Sequence, residues 1–272
     1  MAGTPFFLPA GSGQRFCLYH RPPEEKAGRG AVVFIHPFAE EMNKSRRMAA
    51  LQARALAAAG YGVLQVDLTG CGDSSGDFAE ATWSAWVEDV VRAVAWLRRR
   101  NAGPLWLWGL RTGCLVAAAA AGKIDGVANF LFWQPLASGK PFLAQFLRFK
   151  TAGALLGDGA KGMTAELRRQ LSAGEAVEVA GYSLSAALAT GLEAAELAPS
   201  PRAARVAWLE VASRAEAGLA PVSLRSIEAW RQAGHQVRER VVAGQPFWQT
   251  VDTVECPALV AATLDALEGP MP

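Results

Sequence analysis

The sequence predicts an α/β fold built on a mostly parallel sheet of about eight strands, flanked by helices and interrupted by a helical insertion. Three observations predict it. Short apolar runs alternate with amphipathic segments of helical period through the first half of the chain. Glycine-rich turns stand at the ends of those runs. The alternation stops near Gln134 and resumes near Arg205.

The chain has 272 residues, of which 51% are hydrophobic and 19% charged, with a net charge of +2. That composition supports a sizeable core and argues against disorder. No basic stripe stands out, so nucleic acid is not an expected partner. No apolar run reaches the roughly 18 residues that span a bilayer. The N-terminus lacks a charged segment followed by an apolar one, so it does not read as a signal peptide, and the expected location is the cytoplasm. Cys17, Cys71, Cys114 and Cys256 lie far apart without a C-x-x-C pair. They are expected to be reduced, buried thiols rather than zinc ligands or disulfides.

The elements follow in order. Phe6–Leu8 and Phe16–Tyr19 flank the turn-like AGSG and read as an edge hairpin. Ala31–Ile35 is a buried strand, Lys44–Ala59 a helix stopped by Gly60, and Tyr61–Val66 the next strand. Asp67–Asp77 is a loop dense in Gly, Asp and Ser. Ser84–Arg100 is an amphipathic helix with Ser84 as its cap and three arginines in its last turn. Leu105–Trp108 is a strand, a helix starts near Thr112, and Val127–Phe132 is a strand. Residues 137–204 hold helical patterns, among them Pro141–Lys150 and Ala165–Leu171, and read as a cap over the strand ends. Val206–Val211, Val222–Gly234, Val237–Val242 and Val254–Leu267 then read as strand, helix, strand, helix. Residues 1–136 and 205–272 thus form the two parts of one core, and 137–204 its insertion.

Three stretches resemble the α/β-hydrolase fold: FIHPFAEEMNKSRR (Phe34–Arg47), VDLTGCGDSSGDF (Val66–Phe78) and WLWGLRTGC (Trp106–Cys114). More narrowly, HPFAEEMNKSRR, WGLRTG, FWQPLASGK (Phe132–Lys140), EVAGY (Glu178–Tyr182) and GQPFWQT (Gly244–Thr250) resemble the exosortase A system-associated hydrolase 2 family. That resemblance implies a PEP-CTERM protein-sorting and exopolysaccharide setting. It supplies no substrate.

The resemblance also says where catalytic residues belong, and the residues there do not fit. The nucleophile of this fold sits on a G-x-S-x-G turn. Here the turn reads Gly109-Leu110-Arg111-Thr112-Gly113. A guanidinium stays protonated and cannot attack. The general base belongs in the loop after the last strand, but Ala243–Trp248 has no histidine and Pro246 stands at the expected place. His235 opens the preceding strand, roughly 23 Å away at about 3.3 Å per residue, and is expected on the surface at the opposite sheet edge. The acid loop, 212–216, offers only Glu216.

Other groups compete for roles. Thr112 is expected to give its backbone N–H to an oxyanion hole, and Cys114 to be packed in the helix. Cys71 and Ser74 could border the cleft. His36, at a strand end, is either a structural hydrogen-bonded residue or the one imidazole able to act there. His20 is expected to be exposed. Asp67, Asp73 and Asp77 match no metal-ligand spacing and are expected to close turns. No cofactor and no metal are called for.

What remains is a charged cleft. Arg111 at a helix N-terminus faces a loop that supplies Glu40, Glu41, Asn43, Lys44 and Arg46. In one reading Arg111 is neutralised by Glu40 or Glu41 and the cleft is sealed. In the other, His36, Glu40, Glu41, Asn43, Arg46, Arg111 and Thr112 line a site for a small acyl or anionic ligand. Trp133, Phe142, Phe146, Phe149, Phe247 and Trp248 either wall an apolar pocket or only pack the cap on the sheet. Three functions stay open: a non-catalytic protein binding a ligand or a catalytic hydrolase of the same system, an ester or thioester hydrolase using His36, Glu40 or Glu41 with water, and a structural subunit.

Overall fold

An antiparallel hairpin opens the chain, β1 (Thr4–Pro9) against β2 (Gln14–His20), and β2 pairs on its other side with Val63–Val66. The computed structural model describes residues 3–11, 13–152, 159–214 and 216–269. Ser12 of the AGSG turn and residues 153–158 of the cap fall outside these. After the hairpin come β3 (Gly30–Ile35), α1 (Glu40–Ala58), β4 (Tyr61–Val66), α2 (Trp83–Arg98), β5 (Leu105–Leu110), α3 (Thr112–Ala121) and β6 (Ala128–Trp133). The insertion carries α4 (Gly139–Ala152), α5 (Gly159–Ser172), β7 (Val177–Val179), β8 (Tyr182–Leu184) and α6 (Ala186–Ala194). The core resumes with β9 (Arg205–Ala212), α7 (Pro221–Gln232), β10 (Gln236–Ala243) and α8 (Pro257–Glu268).

The eight-stranded sheet has the order β1-β2-β4-β3-β5-β6-β9-β10, and every pair from β4 to β10 is parallel. β3, β5 and β6 are buried along their whole length because helices cover both faces. On one face α2, α3 and α7 pack with the cap around Trp86, Phe130, Phe132, Trp208 and Trp230. On the other, α1 and α8 pack around Phe34, Trp106, Trp108 and Trp133.

Three local expectations are corrected. α1 begins at Glu40, ahead of Lys44, because Ala39 turns the chain at φ 51°, ψ −128° and two acidic residues suit the helix N-terminus. The cap of α2 is Thr82, whose hydroxyl accepts from the Ala85 N–H at 3.1 Å, and Ser84 lies inside the helix. The insertion holds a hairpin, β7–β8, turned by Ala180 (φ 50°) and Gly181 (φ 82°). Both central residues take positive φ, as a type I′ turn requires, but Ala-Gly lacks the Asn or Asp that usually announces one.

The two stems of the insertion are tied together. The Gly139 N–H donates to the Ala195 carbonyl at 2.9 Å, and the Leu197 N–H to the Ala137 carbonyl at 2.9 Å. Below them, Gln134 donates its N–H to Leu209 and accepts the Val211 N–H on its side chain, both at 2.8 Å. The cap therefore leaves and rejoins the sheet at one place.

Candidate functional site

β5 ends at Leu110 and α3 begins at Thr112, so a single residue makes the corner. Arg111 does so at φ 55°, ψ −118°, the geometry of the first central residue of a type II′ turn. Such a conformation is costly for any residue with a Cβ and persists only where the surroundings impose it. The flanking glycines are needed for space. A Cβ on Gly113 would stand 2.2 Å from the Ile35 carbonyl oxygen, and one on Gly109 2.5 Å from the Cys114 nitrogen. β3, β5 and α3 thus meet backbone to backbone beneath residue 111.

At this corner the guanidinium of Arg111 meets the carboxylate of Glu41. Arg111 Nη2 lies 3.2 Å and Nε 3.3 Å from Glu41 Oε1. The side chains are 12% and 7% exposed, so the pair is largely desolvated. Burial pushes the Glu41 carboxyl above its ordinary value, and the Arg111 charge only partly offsets that. Of the two carboxylates expected to neutralise Arg111, the partner is Glu41. Aromatic rings flank the guanidinium, Trp248 at 5.7 Å and Phe142 at 5.9 Å to their centroids.

The pair forms one wall of a pocket of about 280 Å³, lined also by Glu40, Lys44, Phe142, Phe146 and Trp248, with the amides of Gln145 and Gln249 completing it. Lys44 Nζ donates to the Gln249 carbonyl at 3.4 Å. Two polar atoms of the lining residues are buried without a hydrogen-bond partner among the described residues: Glu40 Oε2 and Trp248 Nε1. Of the six aromatic residues proposed to wall a pocket, Phe142, Phe146 and Trp248 do so. Trp133 turns to α8, where its Nε1 donates to Thr263 at 2.9 Å, and Phe247 packs on it. The Phe149 side chain lies outside the described residues. Gln145 and Gln249 carried no sequence signal beyond their place beside Phe146 and Trp248.

The remaining expected site residues are dispersed. His36 is buried, its Nδ1 2.8 Å from the Pro37 carbonyl and its Nε2 accepting the Leu68 N–H at 3.2 Å. Both ring nitrogens are therefore used on backbone, which fixes the neutral tautomer with its proton on Nδ1, and desolvation keeps its pKa below the ordinary value. Arg46 turns away to Asp67 at 3.1 Å, and Asn43 is exposed with its side chain toward Tyr182 of the cap. Thr112 is buried beneath the corner at the start of α3.

The triad positions come out as follows. Trp248, not Pro246, is the loop residue that reaches the elbow, since Pro246 is exposed. Glu216 is exposed and Ala215 beside it lies outside the described residues, while Glu210 is buried in β9 and accepts from Trp208 Nε1 at 2.8 Å. Neither of the other histidines is on the surface as expected. His20 is buried against Gln65 at 3.0 Å, and His235 is buried against the Ser200 carbonyl at 3.0 Å with its ring on Trp230. Ser74 bonds the Asp67 carbonyl at 2.5 Å, and the thiols of Cys71 and Cys114 are buried, with desolvation raising both. Asp67 accepts from Arg46 and from the Asp73 N–H, and Asp77 closes a capping box with Glu80. No cluster of three metal-ligating side chains occurs among the described residues.

The sequence profile of the serine aminopeptidase, S33 family matches residues 26–171, more than half of the chain. The chain belongs to the serine aminopeptidase S33 family. Its S33 segment runs from before β3 to α5 and includes the corner at Arg111. No curated protein matches in sequence. Solved structures similar to this S33 protein include Est1E from Butyrivibrio proteoclasticus bound to ferulic acid, 13% identical with a TM-score of 0.65, covering 95% of this chain and 96% of that one. Mouse alpha/beta hydrolase domain-containing protein 10 is 16% identical with a TM-score of 0.60, covering 97% and 98%. These likenesses establish the α/β-hydrolase fold. No helix among the described residues is long and apolar enough to cross a membrane.

Proposed function

We propose that this S33 protein is a non-catalytic member of its family, a pseudoenzyme that holds a small acyl or anionic ligand in the pocket at the elbow. The observation that carries the reading is the Arg111–Glu41 pair at the corner where the fold places its nucleophile. The pair occupies the turn, and the Trp248 ring beside Arg111 supports a site without a catalytic base. Glu41 takes Nε and Nη2 of the guanidinium, and Nη1 has no partner among the described residues. A ligand carbonyl or carboxylate oxygen would accept from Nη1, with its body against Phe142, Phe146 and Trp248. The motif resemblance supports, within this proposal, a role beside an exosortase A and PEP-CTERM sorting system, with a catalytic hydrolase of that system as its protein partner, and the N-terminal sequence supports a cytoplasmic location.

The test is twofold. Intact-mass analysis after treatment with a fluorophosphonate should show no adduct, and short acyl esters should not turn over. Binding of a small carboxylate such as phenylacetate, read by ligand-observed NMR, should be lost in the double variant Arg111→Met/Glu41→Met. Stoichiometric labelling, ester turnover, or binding indifferent to the double variant would overturn the reading.

One observation favours a hydrolytic alternative. Glu40 keeps a buried carboxylate oxygen without a partner in a residue that lines the pocket, which a general base for water requires. His36 and Glu41 cannot fill that role while committed to backbone and to Arg111. Turnover abolished by Glu40→Gln would establish this alternative.

A further inference from the structure

α1 covers β3 and β4, while the hairpin β1–β2 lies beyond its edge. The face of β2 turned toward α1 is therefore only partly covered, and Phe16 and Leu18 on it are half-buried. Between them and the flank of α1 runs a groove of about 220 Å³ whose apolar lining includes Phe16, Leu18, Phe34, Met42, Ala50 and Val66. It shares no lining residue with the elbow pocket.

The charge around this groove is one-sided. Arg46, Ala50 and Arg54 are spaced four apart on α1 and form one ridge along it. A wider basin of about 750 Å³, bordered by Lys44, Arg46, Arg47 and Arg54, adjoins the groove at Arg46 and Ala50. Arg47 is paired with Glu255. The one carboxylate in the groove lining, Asp67, is spent on Arg46 and the Asp73 N–H. His36, also in the lining, is held neutral by its two backbone hydrogen bonds. Arg54 is exposed and has no ion-pair partner among the described residues. The apolar slot thus opens, past Arg46 and Ala50, into a basin bordered by the unpaired Arg54, and no unpaired carboxylate lines either among the described residues.

We propose that this groove is a second binding site, for the free anion of a medium-chain fatty acid, with the alkyl chain along Phe16 and Leu18 and the carboxylate at Arg54. A concave slot bordered by a single ridge of arginines suits one chain and one head group.

Calorimetric titration of the full chain with hexanoate, octanoate and decanoate tests it. Affinity should rise about fourfold per methylene, the increment expected for burying each one. Arg54→Glu should weaken decanoate at least tenfold and leave decanol unchanged. Ala50→Trp, which fills the slot from an outward-lying position, should weaken both. Glu24→Gln, in the exposed pair with Arg21 away from the groove, should change neither. The proposal is overturned if affinity does not depend on chain length, if Ala50→Trp has no effect, or if binding disappears with the Arg111→Met/Glu41→Met variant, which would put the ligand at the elbow. It is also overturned if the protein sediments with phosphatidylglycerol vesicles through Arg54 but does not bind decanoate, which would make the face a membrane contact.

Discussion

Glu41 and Arg111 are 70 residues apart in sequence, yet the carboxylate of one lies 3.2 Å from the guanidinium of the other. The contact follows from topology. β3 and β5 are adjacent parallel strands, and each leads through a corner residue with positive φ into a helix, β5 directly and β3 after three residues. Ala39 and Arg111 are those corners, with ψ of −128° and −118°. The first turn of α1 and the tip of the elbow therefore face each other at the same sheet edge.

Breaking this pair from one side should cost more than removing it. Glu41→Gln leaves a desolvated guanidinium without its counter-charge, and a loss of about 3 kcal/mol in urea unfolding is expected. Arg111→Met/Glu41→Met, which removes both charges, should unfold close to the native midpoint or above it. Glu24→Gln, in an exposed pair with Arg21, should stay within about 0.5 kcal/mol. Equal losses for the single and double variants would refute the coupling.

Arg111→Ser should not create an esterase. The serine would stand at the right corner, but Trp248 offers no proton acceptor and both nitrogens of His36 are bound to backbone. A hydroxyl at its ordinary pKa is a poor nucleophile. Rates with a short nitrophenyl ester should match the parent protein, and a gain of a hundredfold would reveal a base elsewhere.

Acid should destabilise the protein earlier than carboxylate titration alone would. His20, His36 and His235 are the three histidines of the chain, and desolvation lowers the pKa of each below 6.5. On unfolding they return to the ordinary value and take up protons. Stability is therefore full above about pH 6.5 and falls as the pH drops through that value toward the folded pKa values. The limiting slope for three such groups is about 4 kcal/mol per pH unit. Urea midpoints measured from pH 8 to pH 5 should show the fall, and His20→Asn should make it shallower by about a third.

The thiols should be silent until the chain opens. All four cysteines are buried and burial raises the pKa of each, that of Cys17 to about 12. A chromogenic disulfide reagent should find none at pH 8 in the native protein and four in urea. Rapid native reaction of Cys71, which borders the loop after β4, would contradict its burial.

The sheet and its helices were legible because period and punctuation agree: Tyr61–Val66 begins and ends as read, and the other core strands differ by a residue or two at their ends. The start of α1 was not. A corner held by Ala39 at positive φ has no local signature, because the tertiary packing imposes it. The burial of His20 and His235 is illegible for a related reason, whereas His36 is the hydrogen-bonded structural residue its place at a strand end suggests. A polar residue at a strand end reads as exposed, but His20 finds Gln65 across β2 and β4, and His235 finds the Ser200 carbonyl, partners that only the fold supplies. At the site, the Arg111 pairing could be argued from strand adjacency. That Trp248 reaches Arg111 could not, because the loop after β10 has no periodicity to fix which of its residues turns inward. The buried pair Arg15–Asp89, which ties β2 to α2 at 2.7 Å, went unnoticed because 74 residues of sequence separate its members.

The tied stems of the insertion bear on how such a protein can change. Ala137 and Leu197 are a hydrogen bond apart, so the core sees the whole cap as one closed loop. Closure entropy rises only with the logarithm of loop length. Whatever hangs from this clasp can lengthen or shrink at its outer loops with little added closure entropy, provided that Phe142 and Phe146, which pack on Phe38, are kept or replaced in kind. The roof of the elbow pocket, Phe142 and Phe146, belongs to the cap, whereas Arg111, Glu41 and Trp248 belong to the core. Selectivity for a ligand's outer end can thus drift independently of the charge pair at its inner end.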